Sequence, residues 1–254
     1  MADGLRELHL PTIGREYEAV AAVARQESFS YVRYLLELVQ RECEARRVKR
    51  IERHLRDSHL PLEKSLSNLD LKRLPPKATQ QVRTLLEGGF VDRHDNVLVF
   101  GNPGSGKTHV VGAIGQELVR AGRRVLFATC DLMVQDLLGA KRDLKLRRFL
   151  KQISRNEVLI LDDIGYVQYS REEMEVMFTL LAERYERGSV MLTSNLPFSG
   201  CEAIFKDPMT TAAAIDRLVH HAVIIELNLP SYRVEQAKKA KGRGASSAAE
   251  PPPA

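Results

Sequence analysis

A short glycine-rich segment constrains the fold of this chain more than any other feature. Residues 101–108 read Gly-Asn-Pro-Gly-Ser-Gly-Lys-Thr, and they stand between the apolar run 97–100 and a helix-compatible sequence. This order predicts a strand, a loop whose backbone N–H groups wrap phosphates, and a helix. Lys107 would supply charge to the outer phosphates, and the Thr108 hydroxyl would ligate Mg²⁺. The predicted ligand is a nucleoside triphosphate, bound by Gly101, Asn102, Pro103, Gly104, Ser105, Gly106, Lys107, Thr108 and His109.

The apolar runs that follow residue 90 predict an α/β fold. They alternate with helical patterns, which is typical of a mainly parallel sheet between helices. The predicted strands are 97–100, 124–128, 158–161, 189–193 and 222–227. The predicted helices are one at 107–121, more than one between about 131 and 152, and one at 172–185. A shorter helix at 77–87 precedes them and stops at Gly88-Gly89, where glycine suits a left-handed cap.

The rest of the chain divides by composition. Residues 12–57 carry helical spacing without the turn residues of a sheet, which predicts a small all-α amino-terminal domain. Pro75-Pro76 interrupts helical continuation. The resulting division is a helical domain at 1–60, a linker at 61–76, an α/β domain at 77–236 and a disordered tail at 237–254.

Composition excludes several classes of protein. Cys43, Cys130 and Cys201 are far apart and odd in number, which argues against a disulfide framework and against a structural zinc site. No apolar run approaches membrane-spanning length and no secretory leader is evident, so we expect no membrane association and a cytoplasmic protein. The net charge of +5 suggests an acidic partner, and nucleic acid is the commonest one.

Polar residues end two of the predicted strands. Asp162 and Asp163 follow the run 158–161, where ligands bind in open α/β sheets. Asp162 would hold Mg²⁺ through its water shell, and Asp163 would orient or deprotonate the attacking water. Asn195 follows the run 190–192 and could hold the same water or the γ-phosphate, although asparagine before Leu-Pro is also an ordinary turn residue.

Two basic segments are candidates for binding DNA. In 141–151, Leu144, Leu146, Phe149 and Leu150 would pack inward while the basic residues meet phosphates without reading sequence. A solvated basic helix face is an equally good interpretation of this segment alone. We expect affinity from backbone charge and DNA deformation rather than from base readout. The candidates are Lys141, Arg142, Lys145, Arg147 and Arg148, and, in the amino-terminal domain, Arg46, Arg47, Lys49, Arg50 and Arg53.

Five segments together strongly resemble the IstB family, the helper ATPases of a bacterial insertion-sequence transposition system. These segments are 101–109, 159–166, 192–198, 212–221 and 231–233, and the resemblance runs from about residue 8 to residue 236. The family is similar in turn to the helicase loader DnaC and the replication initiator DnaA, which are members of the AAA+ class.

The resemblance implies ATP and Mg²⁺ as cofactors and assigns further roles. Asn195 would be the sensor residue, and Arg217 would be an arginine finger that reaches the γ-phosphate bound by a neighbouring subunit. ATP sites would then be shared within a homo-oligomer. Arg233 would be a second sensor, and Asp163 stands where family members often carry glutamate, which bears on the hydrolysis rate.

The resulting prediction is a DNA-binding AAA+ ATPase that oligomerises on double-stranded DNA and assists a transposase in target selection and transposition. A replicative helicase loader of the DnaC type is the alternative, because the motor motifs do not distinguish client proteins. A DNA-coating protein that uses ATP to assemble and barely hydrolyses it is a third interpretation. A small-molecule kinase is disfavoured because no acceptor pocket or lid sequence is evident.

Overall fold

The structure is a computed structural model of the 254-residue chain, and it describes residues 2–164, 169–197, 218–219 and 221–232. The chain divides into two compact units, residues 1–56 and 57–254.

The first unit is helical, as predicted. It consists of α1 (Ala2–Glu7), α2 (Pro11–Gln26) and most of α3 (Tyr31–Asp57). Proline at the first position suits the start of α2, since its fixed φ is helical and it has no N–H to satisfy. The residue before it, Leu10, offers no side-chain cap, so the next N–H groups of α2 need acceptors from elsewhere.

Glu42 on α3 supplies those acceptors. Its buried carboxylate accepts the backbone N–H groups of Thr12 at 2.8 Å and Ile13 at 3.1 Å, and it also pairs with Arg46 at 2.8 Å. Burial acts to raise the pKa of Glu42, but the hydrogen bonds from Arg46 and the two backbone groups outweigh it and hold the pKa below its usual range. Glu42 is therefore a cap for α2 that comes from another helix.

We expect Glu42→Ala to destabilise the first unit by about 1–2 kcal/mol, because the first turn of α2 then loses its buried acceptor. Faster hydrogen exchange of the α2 amides in the full chain would measure this. Since the folded pKa is depressed, the stabilisation should be present at neutral pH and lost as the pH falls through that pKa. Glu44→Ala is the control, because Glu44 is exposed and only pairs with Arg47. Equal exchange in both variants would contradict the capping role.

The described residues of the second unit form one sheet with helices on both faces, together with two 3₁₀ turns, Leu66–Asn68 and Leu71–Arg73. Its helices are α4 (Pro76–Leu86), α5 (Gly89–Asp92), α6 (Lys107–Arg120), α7 (Cys130–Arg142), α8 (Leu146–Ile153) and α9 (Arg171–Arg184). Its strands are β1 (Asn96–Gly101), β2 (Val125–Thr129), β3 (Val158–Ile164), β4 (Ser189–Ser194) and β5 (Ala222–Leu227). The helices predicted between about 131 and 152 are α7 and α8, and Gly88 has the predicted left-handed conformation.

All strand pairs are parallel, in the order β2-β3-β4-β1-β5. Val97 of β1 pairs in register with Met191 of β4 and with Val223 of β5, so β1 is internal to the sheet. Because the strands are parallel, the loops after β1, β3 and β4 all meet at the carboxyl edge of the sheet.

Both faces of the sheet are buried along the central strands β1, β3 and β4, which explains their continuous apolar sequences. Leu159 and Leu161 of β3 belong to a core cluster with residues of α7, α8 and α9. Ile160 points to the opposite face, where α6 approaches so closely that a Cβ on Gly115 would lie 2.8 Å from its Cδ1 atom. The α/β fold class is confirmed, and α6 is held firmly beneath the loop that precedes it.

Candidate nucleotide site

The glycine-rich loop between β1 and α6 has the backbone conformation of a phosphate cradle. Gly104 and Gly106 have φ values of 77° and 103°, a region that glycine enters without strain. A side chain at Gly104 would also collide with Ser231, and the Tyr232 N–H donates to the Gly104 carbonyl at 2.9 Å. The chain that follows β5 therefore packs on the outside of the loop and fixes its shape.

Lys107 is the first residue of α6 and is buried in this cradle. Its Nζ donates to the carbonyls of Gly101 at 2.9 Å and Asn102 at 3.0 Å, and to Asn195 Oδ1 at 2.6 Å. Burial lowers the pKa of Lys107, and the nearby charges of Asp163 and Asp162 partly oppose that effect. The ammonium group thus lies where phosphate oxygens would take the place of its present acceptors.

Oxygen atoms suited to Mg²⁺ lie beside the cradle. Thr108 Oγ1 donates to Asp162 Oδ2 at 2.9 Å, and Thr193 Oγ1 donates to Asp162 Oδ1 at 2.6 Å. Mg²⁺ is usually held by one or two carboxylates together with substrate phosphates, so Thr108 and Asp162 fit this ion. In the cradle, the buried Ser105 Oγ has no hydrogen-bond partner among the described residues, and a phosphate oxygen would satisfy it.

A bulge at the end of β3 brings two consecutive carboxylates into the site. Leu161 pairs with Leu192, but the next pair is Ile164 with Ser194, so β3 carries one extra residue. Asp163, in the bulge, has a left-handed φ of 66°, which aspartate tolerates better than most residues. In a regular strand Asp162 and Asp163 would point to opposite faces. The bulge removes that alternation.

Asn195 connects the carboxylates to the phosphate loop. Its Oδ1 atom accepts from Lys107 at 2.6 Å, and its Nδ2 group donates to Asp163 Oδ1. Burial raises the pKa of Asp163, the charge of Asp162 raises it further, and Lys107 acts in the opposite direction. The described site therefore contains a hydrogen-bond circuit that runs from Lys107 through Asn195 to Asp163.

The cleft at this site has a volume of about 500 Å³ and includes residues that the sequence analysis did not single out. Leu69, Leu74 and Leu229 give it an apolar wall, and Tyr232 lines it together with Arg73. The Arg73 guanidinium lies 4.9 Å from the Tyr232 ring centroid and donates to the Pro230 carbonyl at 3.1 Å. The prolines of 61–76 predict a linker. The leucines at 66, 69, 71 and 74 of the same segment are the sequence signal that it packs against the rest of the fold.

In each of the two basic candidate surfaces, part of the positive charge is neutralised by acidic side chains. Arg46 bonds to Glu42 and to the His9 carbonyl, and Arg47 pairs with Glu44, whereas Lys49 and Arg50 are exposed. Near α8, Lys141 pairs with Glu175 and Lys145 pairs with Asp143. Within the described ranges, Arg142, Arg147 and Arg148 have no ion pair or side-chain hydrogen bond.

Four sequence predictions fall outside the described residues or differ from them. Arg217 and Arg233, the predicted finger and second sensor, lie outside the described residues, as does the tail at 237–254. The prediction that Leu144 packs inward is wrong, because the residue lies in the turn between α7 and α8 and its side chain is exposed. Within the described part of the chain, no helix combines the length and apolar character needed to cross a bilayer.

The strand order and the placement of the phosphate loop, paired carboxylates and asparagine define a P-loop protein of the AAA+ class. Solved structures share this fold. DnaI is 24% identical with a TM-score of 0.55, over 67% of this chain and 95% of that one. A DNA replication initiation factor is 19% identical with a TM-score of 0.58, over 73% of this chain and 56% of that one.

Sequence comparison identifies the family. The family described as IstB-like ATP binding protein matches residues 3–240, and this chain belongs to it. An insertion-sequence ATP-binding protein of Sinorhizobium fredii is 40% identical over 96% of this chain and 83% of its own length. The IS21 ATP-binding protein of Pseudomonas aeruginosa is 36% identical over 93% of this chain and 89% of its own length. The resemblance found in the motifs is thereby confirmed.

We expect Asp163→Asn to raise the thermal unfolding midpoint of the ligand-free protein at neutral pH by about 1–3 °C. The folded pKa of Asp163 lies above its ordinary value, so its ionised form disfavours the folded state. Asparagine tolerates the left-handed backbone and keeps an acceptor for Asn195.

The difference in unfolding midpoint between Asp163→Asn and the wild type should decrease as the pH falls. The gain should disappear in acid, where Asp163 is itself neutral, and scanning calorimetry across pH measures it. Asp136→Asn, an exposed carboxylate on α7, is the matched control and should leave the midpoint unchanged. A lower midpoint for Asp163→Asn at neutral pH would contradict this assignment.

Proposed function

We propose that this chain is an AAA+ ATPase that assembles on double-stranded DNA with ATP and assists a transposase in target selection and transposition. The circuit from Lys107 through Asn195 to Asp163 carries the proposal, because it joins the phosphate-binding loop to the carboxylate that would act on water. The insertion-sequence names of the relatives support the role in transposition.

The residues of the site would have distinct tasks in ATP hydrolysis. Lys107 and the loop N–H groups would bind phosphate oxygens, and Thr108 and Asp162 would hold Mg²⁺, which would supply neutralisation of the phosphate charge. When ATP binds, the hydrogen bond between Lys107 and Asn195 is replaced by hydrogen bonds from each side chain to the terminal phosphate. Asp163 then loses its amide partner and is available to accept a proton from the attacking water, a role that its raised pKa favours.

The remaining part of the cleft suits a nucleobase. Leu69, Leu74 and Leu229 supply apolar surface, and Tyr232 supplies an aromatic ring. Such surfaces hold planar rings by burial and stacking. Packing of the segment after β5 against Gly104 couples this wall to the phosphate loop.

A second cation at the terminal phosphate would add to the charge stabilisation that Lys107 supplies. Among the described residues that line the cleft, Lys64 and Arg73 are the further lysine and arginine, and the Arg73 guanidinium is engaged with Tyr232 and the Pro230 carbonyl. The family resemblance assigns this role to Arg217 of a neighbouring subunit. ATP binding would then be coupled to assembly of a homo-oligomer.

We expect the wild-type protein to be retained on duplex DNA in the presence of ATP, and Lys107→Ala to lose most of that retention. Alanine removes the ammonium group that binds the phosphates, so the nucleotide no longer drives assembly. Filter retention of labelled duplex with and without ATP measures this. Lys72→Ala, an exposed lysine on a nearby 3₁₀ turn, is the matched control. Equal retention by Lys107→Ala and the wild type would contradict a nucleotide switch.

We expect mixtures of Arg217→Ala and Asp162→Ala to regain hydrolysis that neither variant has alone. At equal mixing, roughly a quarter of the sites would combine an intact Asp162 with an intact neighbouring Arg217, so roughly a quarter of the wild-type rate should return. Phosphate release measures the rate. Asp162→Ala mixed with Lys107→Ala is the control, because both lesions lie on one side of the site and should not complement. Absence of recovery at every ratio would argue against a shared site.

A further inference from the structure

The turn between α7 and α8 holds a leucine in an unusual position. Leu144 has a left-handed φ of 58° and is 94% exposed. Its N–H donates to the Lys141 carbonyl at 3.1 Å, and the Lys145 N–H donates to the Ala140 carbonyl at 2.8 Å. These two bonds are the Schellman arrangement that ends a helix, and the left-handed residue in it is usually glycine.

Leucine is unfavourable at this position for two separate reasons. Its Cβ crowds the backbone in the left-handed conformation, and its side chain is left in water. Among the described non-glycine residues with positive φ, Leu144 is the only aliphatic one, and the others are histidine, serine, aspartate or glutamate. Glycine would close the same turn without either cost. An outlier of this kind, kept on a well-formed turn, points to a use for the side chain.

The charges around Leu144 indicate what that side chain meets. Residues 141–155 contain seven basic side chains and one acidic side chain, Asp143, which is paired with Lys145. The seven basic residues are Lys141, Arg142, Lys145, Arg147, Arg148, Lys151 and Arg155. A surface of this composition fits a polyanion.

The helix behind the turn is anchored. Leu150 and Ile153 of α8 are buried in the core cluster, and Leu146 and Phe149 pack against it. The nearest strongly exposed leucine on α7 is Leu132, twelve residues or about 18 Å before Leu144, so among the described residues of α7, the turn and α8, Leu144 does not belong to a run of strongly exposed aliphatic side chains. Protein–protein interfaces bury a contiguous apolar centre. A single apolar side chain surrounded by cations does not provide one.

We propose that Leu144 is a wedge that inserts between adjacent base pairs of duplex DNA while Arg142, Arg147 and Arg148 contact the flanking phosphates. This inference rests on the proposed function, because it requires that this surface binds DNA. Apolar side chains inserted at a base step unstack it and kink the duplex, and the bend lets more of the protein reach the backbone. The preference of the wedge for a DNA site would then depend on how flexible the base-pair step is, and not on hydrogen bonds to base edges.

The test compares the wild type with Leu144→Gly on duplexes that contain 2-aminopurine, whose fluorescence rises when its neighbours unstack. Glycine is the residue that this turn favours, so the variant should fold at least as well as the wild type. With ATP present, the wild type should raise the fluorescence on binding. Leu144→Gly should still bind, by fluorescence anisotropy, but lose that rise. Leu132→Ala is the control for loss of an exposed leucine and should behave as the wild type.

The outcomes separate the wedge from the proposed function. A wild type that does not bind duplex DNA would overturn the proposed function and the wedge with it. A wild type that binds without unstacking, or a Leu144→Gly variant that unstacks as the wild type does, would overturn the wedge alone. If Leu144→Gly instead loses only self-association, measured by sedimentation without DNA, the leucine is a protein contact and the wedge is wrong.

Discussion

Thr193 holds the bulge of β3 in place by accepting the Asp163 N–H at 2.8 Å and donating its own hydroxyl proton to Asp162 at 2.6 Å. One hydroxyl on β4 therefore fixes the backbone of one carboxylate and the side chain of the other. Without the bulge, the pleat would turn Asp162 and Asp163 to opposite faces of the sheet. The geometry of the site thus depends on the pairing of β3 with β4 as much as on the aspartates.

The same network explains how a buried lysine is tolerated without nucleotide. Lys107 loses hydration on burial, which disfavours its charge, but three oxygen acceptors and two nearby carboxylates compensate. Asn195 is central because it accepts from the cation and donates to Asp163, so it links groups of opposite charge. In the proposed mechanism, a phosphate that attracts Lys107 would change the environment of Asp163 through this one amide.

Sequence alone predicted the features that depend on local pattern. The loop at 101–108, the continuous apolar runs of β1 and β3, and the capping glycine at residue 88 each follow from neighbouring residues. The bulge at Asp163 was not predicted, because it arises from the register against β4 and the Asp-Asp pair does not encode it. The wall formed by Leu69 and Leu74 was missed because the neighbouring prolines outweighed the leucine spacing. Burial of those leucines depends on a cleft that only the fold creates.

The basic surfaces show why a count of charges does not locate a DNA-binding face. On α3, Glu42 and Glu44 stand four and three residues before Arg46 and Arg47 and pair with them, a spacing that is visible in the sequence. Around α8, Asp143 neutralises Lys145, but Arg147 and Arg148 have no acidic residue one turn away on their own helix. Unpaired guanidinium groups release counterions from DNA without first breaking an internal pair, so they give a steeper salt dependence than paired ones. Among the described candidates, the cations that no acidic side chain neutralises include Lys49 and Arg50 on α3, and Arg142, Arg147 and Arg148 beside the turn that carries Leu144.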